Sequence, residues 1–331
     1  MHVSVVIPCY KSAKTLPDLT ARLNAVLPTA TESYEVILVV DGSPDDTWEV
    51  ARGLAVLHDQ VRAVRLARNY GQSSALIAGI RAAKHDVIVT MDDDLQHPPE
   101  EVPKLLAALT DDLDLVYGLA ETEEHGIGRS LASRIVKRGL SSAVGVDNAN
   151  VLSAFRAFRS FLVGGFDQVS GPHVSVDVAL SWATTRVGAT TVHMDERTVG
   201  RSNYTFGTLV KHALNLVMGY SIKPLRMVTI FGGVVGLAGF ALFVRVLWLY
   251  FDHETSVAGF TTVAAMVAIF SAAQMISIGV LGEYVGRIHT HGMGRPTYVV
   301  RESVGGSARA NVSRPAVAPA NGLTESAMFQ R

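Results

Sequence analysis

The stretch Val87-Ile88-Val89-Thr90-Met91-Asp92-Asp93-Asp94-Leu95-Gln96-His97-Pro98-Pro99-Glu100 decides the fold. A β-branched apolar run ends abruptly in three carboxylates, and two prolines then open a helix. Three acids at the end of a buried strand repel one another and resist desolvation, so something positive belongs beside them. A hard divalent cation with oxygen ligands is the simplest candidate. Asp92 and Asp94 project in a similar direction if the chain there stays extended.

Working outward, the first 117 residues alternate between strand and helix patterns. Strands are expected at Val3–Ile7, Tyr34–Val40, Val61–Leu66, Asp86–Met91 and Leu113–Tyr117. Helical periods fill Ala13–Leu27, Thr47–His58, Ser73–Ala83 and Glu100–Leu109. This order predicts an α/β domain: a parallel sheet with helices on both faces, binding ligands beyond the carboxyl ends of its strands. Pro8-Cys9-Tyr10, Asp41-Gly42-Ser43 and Asp92-Asp93-Asp94 fall at such ends. A Rossmann oxidoreductase would carry Gly-x-Gly-x-x-Gly after the first strand; Pro8-Cys9-Tyr10-Lys11-Ser12 has no glycine. Asp41-Gly42-Ser43-Pro44-Asp45-Asp46-Thr47 reads as a turn and helix cap, with Asp41 also placed to accept from a base or ribose. Residues 120–200 are less regular until helical period returns at Val174–Thr184.

The rest of the 331 residues is membrane-like. Hydrophobic residues make up 48% of the chain and charged residues 18%. Val228–Phe251 and Val257–Gly282 each exceed the roughly 20 residues that cross a bilayer. The short loop Asp252-His253-Glu254-Thr255-Ser256 makes them a hairpin. Lys211, Lys223 and Arg226 precede it, Arg287 and Arg295 follow, and the loop has no Lys or Arg. That bias puts both ends in the cytoplasm. Gly232, Gly233, Gly236 and Gly239 suit close helix packing. Gly207–Tyr220 has two open readings, an interfacial helix or an ordinary amphipathic surface helix. The N-terminus lacks a basic export-signal region and reads as a buried first strand. The expected divisions are a catalytic domain over 1–205, a juxtamembrane segment over 206–226, two transmembrane helices over 227–283, a cytoplasmic return segment over 284–300 and a disordered tail over 301–331. A net charge of −1 gives no reason to expect nucleic acid, and the single cysteine, Cys9, excludes an internal disulfide and a Cys/His zinc framework.

Pro8-Cys9-Tyr10, Asp41-Gly42-Ser43, Arg68-Asn69-Tyr70-Gly71, the acidic segment Asp92–Glu100 and Phe155-Arg156-Ala157-Phe158-Arg159 resemble family 2 glycosyltransferases. The likeness is to the polyprenyl-phosphate sugar synthases, which include dolichol-phosphate-mannose synthase and bacterial undecaprenyl-phosphate glycosyltransferases, and it covers residues 2–300. Arg197-Thr198-Val199-Gly200-Arg201-Ser202-Asn203-Tyr204 is similar to their Arg-x-x-Gly-x-Ser-Lys signature.

The resemblance implies a GT-A fold at the plasma membrane, catalytic domain inside. It implies inverting transfer of a sugar from a nucleotide diphosphate sugar to polyprenyl phosphate, for envelope glycan or glycolipid modification. It implies Mg²⁺ or Mn²⁺ near Asp92, Asp94 and Gln96, with Asp94 at the reacting centre. Pro8, Tyr10, Asp41, Asp92, Gln96, Arg197 and Ser202 would bind the donor, Arg197 near its diphosphate. Arg129 and Arg156 would meet the acceptor phosphate, whereas Arg159 reads as structural. A homo-oligomer is implied as well.

Three positions depart from the pattern. Val40 stands where many relatives have an acid, Ala154 where bacterial relatives often have an aspartate, and Asn203 replaces the signature lysine. A phosphate monoester is largely dianionic at neutral pH, so no side chain need serve as essential base. Two rivals stay open: a polysaccharide synthase, though no tryptophan follows an arginine as its Gln-x-x-Arg-Trp motif requires, and a non-catalytic nucleotide-sugar-binding membrane protein.

Overall fold

A computed structural model describes residues 1–120, 153–166, 175–195, 221, 223–252 and 259–306. Eight strands form one sheet, and each expected strand and helix of the first 117 residues is present. These are β1 (His2–Cys9), α1 (Leu16–Ala30), β2 (Ser33–Val40), α2 (Thr47–Leu57), β3 (Val61–Leu66), α3 (Gln72–Ala82), β4 (Val87–Thr90), α4 (Val102–Ala108) and β5 (Leu115–Ala120). Then come β6 (Arg156–Arg159), α5 (Val176–Ala183), β7 (Val187–Val192), α6 (Lys223–Phe251), α7 (Phe260–Gly292) and β8 (Val300–Gly305).

The sheet order is β7-β5-β6-β4-β1-β2-β3-β8. The central strands β1, β2 and β4 are apolar runs buried on both faces, as a helix-covered parallel sheet requires. Period-two alternation divides their side chains between two cores. Val3, Val5 and Ile7 pack with Leu16, Leu19 and Leu23 of α1, while Val6 packs with Ile77 of α3 and Phe158 of β6.

Two strands correct the all-parallel expectation. β6 runs antiparallel between β4 and β5, matching Arg156 to Thr90. β8 runs antiparallel along the outer edge of β3, so residues 301–305 form a strand and are not part of a disordered tail. It hides an edge that would otherwise present unpaired backbone groups. Its polar sequence carries little strand signal, because β8 is mostly exposed and its stability comes from backbone pairing.

α6 and α7 are long, apolar and unburied, and each contains a segment long enough to cross a membrane, Lys223–Arg245 and Ile269–Gly292. Outward-facing Ile230, Val234, Leu237 and Phe240 need a non-aqueous surrounding. α7 continues to Gly292 through much of the expected return segment. Among the four expected packing glycines only Gly239 meets α7, where an added Cβ would lie 2.3 Å from Phe270 Cζ. At the base of the pair, Tyr284 Oη donates to the Ser221 carbonyl at 2.6 Å.

Candidate active site

β1 has β2 on one side and β4 on the other, and chain connections diverge there, which opens a crevice at the strand ends. A cavity of about 270 Å³ occupies it, walled by Pro8, Cys9 and Tyr10 after β1, Asp41 after β2, Asn69, Gly71 and Gln72 before α3, and Asp92, Asp93 and Asp94 after β4. Asn69 and Gly71 belong to the Arg68–Gly71 motif, to which the sequence attached no site role, and Gln72 directly follows it.

The nucleotide-loop motif is built by backbone approach. Gly42 has φ +56°, and a Cβ there would fall 2.4 Å from Arg68 C and Asn69 N. Only glycine lets the two loops touch. Asp41 fixes that contact: its carboxylate accepts the Tyr70 and Gly71 N–H groups at 2.7 Å each. Burial raises its pKa, opposed by those two donors and by Arg68. Thus Asp41 shapes the Arg68–Gly71 loop while also facing the cavity. Cys9 is buried, burial pushes its thiol up, and its Sγ–H donates to the Ile7 carbonyl.

The three aspartates differ. Asp93 accepts from Tyr10 N–H at 3.1 Å and from Ser12 Oγ, tying the β4 exit to the β1 exit. Asp92 receives Gln72 Nε2 at 2.7 Å. Burial, then Asp94 and Asp93, push its pKa up to about 6, while Arg156 and Gln72 pull the other way. Asp94 Oδ1 accepts the Gln96 N–H at 3.1 Å across Leu95, whose φ is +61°. The strained turn at Leu95 breaks the extended geometry expected there, yet Asp92 and Asp94 still face one cavity. Gln96 is not in the cavity wall; its carbonyl accepts the Asp195 N–H at 2.9 Å. His97 stacks on Phe155 at 5.1 Å, and burial lowers its pKa.

Arg156 is only 2% exposed. Its Nε donates to Thr90 Oγ1 at 2.9 Å, Nη1 pairs with Asp177, and the guanidinium lies 6.0 Å from the Tyr117 ring centroid. Tyr117 Oη also donates to Asp177, at 3.2 Å. Arg156, expected near the acceptor phosphate, is thus buried and held by protein partners, and its charge pulls the Asp92 pKa down. Asp177, on α5, had no sequence signal beyond a helical period. Arg159 donates to the Thr110 and Leu113 carbonyls and to Asp111, a structural role. Val40 is fully buried in the core. The Ala154 carbonyl accepts Thr90 Oγ1 at 2.8 Å. Arg129, Arg197, Ser202 and Asn203 lie outside the described residues.

Among the described residues no three His, Cys, Asp or Glu side chains converge as a closed metal cage. The donor set is instead a pair of hard carboxylates on an open cavity, and burial and acidic neighbours oppose the ionisation of one of them, Asp92. That set fits a divalent cation that takes its other ligands from phosphate and water.

The glycosyl transferase family 2 model matches residues 4–159. Undecaprenyl-phosphate 4-deoxy-4-formamido-L-arabinose transferases from Yersinia enterocolitica and Yersinia pestis are each 34% identical over 306 residues, 92% of this chain and 94% of theirs. Glucosyl-3-phosphoglycerate synthase from Mycobacterium tuberculosis, solved with Mn²⁺, uridine diphosphate and glucosyl-3-phosphoglycerate, shares the fold. It is 20% identical, with a TM-score of 0.50, and the match covers 66% of this chain and 80% of that one. An α/β sheet with an acidic mouth, a paired apolar helix tail and full-length relatives at this identity make the chain a member of glycosyl transferase family 2, in its polyprenyl-phosphate sugar transferase group.

Proposed function

We propose that this protein transfers a sugar, with inversion, from a nucleotide diphosphate sugar to polyprenyl phosphate, at the cytoplasmic face of the plasma membrane. The observation that carries the reading is the Asp92/Asp94 pair, facing one cavity at the β1/β4 divide of a chain that ends in an apolar helix pair. The names of the full-length relatives support the same acceptor class.

Asp92 and Asp94 would hold Mg²⁺ or Mn²⁺, with Gln96 beside them. A bound divalent ion supplies electrostatic stabilisation of the departing nucleoside diphosphate. The other tasks fall to the chain's own groups. Pro8, Tyr10 and the Asp41-braced loop would bind the nucleoside. Arg197 and Ser202 would meet the diphosphate, and Arg129 the acceptor phosphate. Arg156 would partly offset the push of burial, Asp94 and Asp93 on Asp92, and through Thr90 it orders the β4 end. The acceptor phosphate is already a nucleophile, so the site aligns it and needs no essential base. The hairpin keeps the enzyme at the headgroup level where that phosphate lies. Assembly as a homo-oligomer belongs to the same proposal.

The test is incubation of purified full-length protein with radiolabelled nucleotide sugars, undecaprenyl phosphate and Mn²⁺, followed by lipid-product analysis with and without EDTA. A metal-dependent sugar-phosphate-lipid product is expected. Tight nucleotide binding with no product from any donor would favour the non-catalytic binding protein instead.

A further inference from the structure

A second cavity, of about 190 Å³, lies on the far side of the Arg68–Tyr70 loop. Its wall is Arg68, Asn69 and Tyr70 together with Arg295, Pro296 and Thr297. Arg68 and Arg295 both line it, and no acid does. Neither arginine is ion-paired with a described residue. Arg68 rests on the Tyr70 ring at 4.4 Å, a stacking that holds the cation while leaving its N–H edge available.

The two halves of the wall come from different places. Arg68 belongs to the loop that Asp41 organises, and Asn69 also lines the first cavity. Arg295 follows the end of α7, the second membrane-length helix, by three residues. The segment is docked, since the Ala67 N–H donates to the Val299 carbonyl at 2.8 Å and Arg81 lies over Tyr298.

We propose that the Arg68/Arg295 cavity is an anion site for a phosphate group, separate from the donor site and set at the seam between membrane helix and catalytic sheet. Two arginines and an amide side chain lining one cavity supply the donors that phosphate oxygens accept. A lipid headgroup and free phosphate share this chemistry, and the two arms of the test below distinguish them. An anion bound there would brace the loop whose other face borders the first cavity. The inference does not depend on which sugar is transferred, and its test needs no turnover.

The full chain is purified in detergent with EDTA, so that the aspartate cavity repels anions. Inorganic phosphate binding is then measured calorimetrically at constant ionic strength. In a second arm the chain sits in nanodiscs of phosphatidylcholine with or without phosphatidic acid, and lipid retention is read by native mass spectrometry. Binding in either arm, weakened about tenfold by Arg68→Gln and by Arg295→Gln, is expected, since a charge-assisted contact is worth about that factor. Phosphate binding in detergent identifies free phosphate as a sufficient ligand; retention of phosphatidic acid alone identifies the headgroup. Arg65→Gln removes a cation of β3 that sits over Trp48 instead, and should leave binding intact. No binding in either arm, equal weakening by Arg65→Gln, or complete displacement of phosphate by uridine diphosphate would overturn the proposal.

Discussion

Replacing Asp92 by asparagine removes one charge from the crowded mouth of β4 and keeps the shape, including an acceptor for Gln72 Nε2. In the metal-free protein this should stabilise the fold. The folded-state pKa of Asp92 is raised from 3.8 to about 6. A raised carboxyl pKa means the native state binds more protons than the unfolded chain between those values. Stability is therefore fully present below pH 3.8 and falls as pH rises through about 6. Linkage over that interval gives about 3 kcal/mol at pH 7.5 and about 1.5 kcal/mol at pH 5. Water in the open cavity screens the charge and trims both figures, to about half at the lower limit. Thermal unfolding in detergent with EDTA should thus show D92N melting about 4–8 °C above wild type at pH 7.5, and by about half as much at pH 5. Adding Mn²⁺ should raise the wild-type melting temperature and leave D92N nearly unmoved. A variant no more stable than wild type without cation, or one that gains equally from Mn²⁺, would refute both the repulsion argument and the metal assignment.

Three other outcomes follow from the geometry. Gly42→Ala forces a side chain into left-handed backbone against Arg68 and Asn69, at a cost of about 2 kcal/mol or more, and loosens the loop that Asp41 holds; nucleotide affinity by calorimetry should fall at least tenfold. Asp177→Ala strands the buried Arg156 guanidinium and should destabilise the catalytic domain by about 3–5 kcal/mol in urea unfolding, whereas a loss under 1 kcal/mol would mean the pair is dispensable. Truncation after Val299 strips β8 from β3, and light scattering should show concentration-dependent self-association through the bared edge.

The sheet was legible because its central strands are buried on both faces, so Val, Ile and Leu runs at β1, β2 and β4 could be nothing else at that length. The acidic mouth was legible for a related reason: charge directly after such a run stands at the strand's carboxyl end, where Asp92, Asp93 and Asp94 line the cavity. What composition hides is pairing that depends on the partner. β8 is a strand because β3 offers an edge, and its own residues are mostly exposed and polar. The bend at Leu95 was equally hidden, since leucine carries no preference for positive φ. The role of an arginine is hidden most deeply, for Arg156 and Arg159 share one short strand yet one is buried against Asp177 and the other caps carbonyls at the domain surface.

Arg156 separates two accounts of the site. Its guanidinium is held by Thr90 and Asp177, and lowers the pKa of Asp92 through space. If that field is its contribution, Arg156→Gln lets the Asp92 pKa climb above about 6. Metal-dependent turnover requires Asp92 ionised, so the acid limb of kcat/KM should move to higher pH, with the KM for polyprenyl phosphate unchanged. If Arg156 instead grips the acceptor phosphate, the acceptor KM should rise at least tenfold and the limb should stay in place. The burial of Arg156 favours the first outcome, because reaching an acceptor would mean breaking its contacts with both Thr90 and Asp177. An acceptor KM effect without a pH shift would therefore show that β6 opens during the catalytic cycle, and would return Arg156 to the acceptor site.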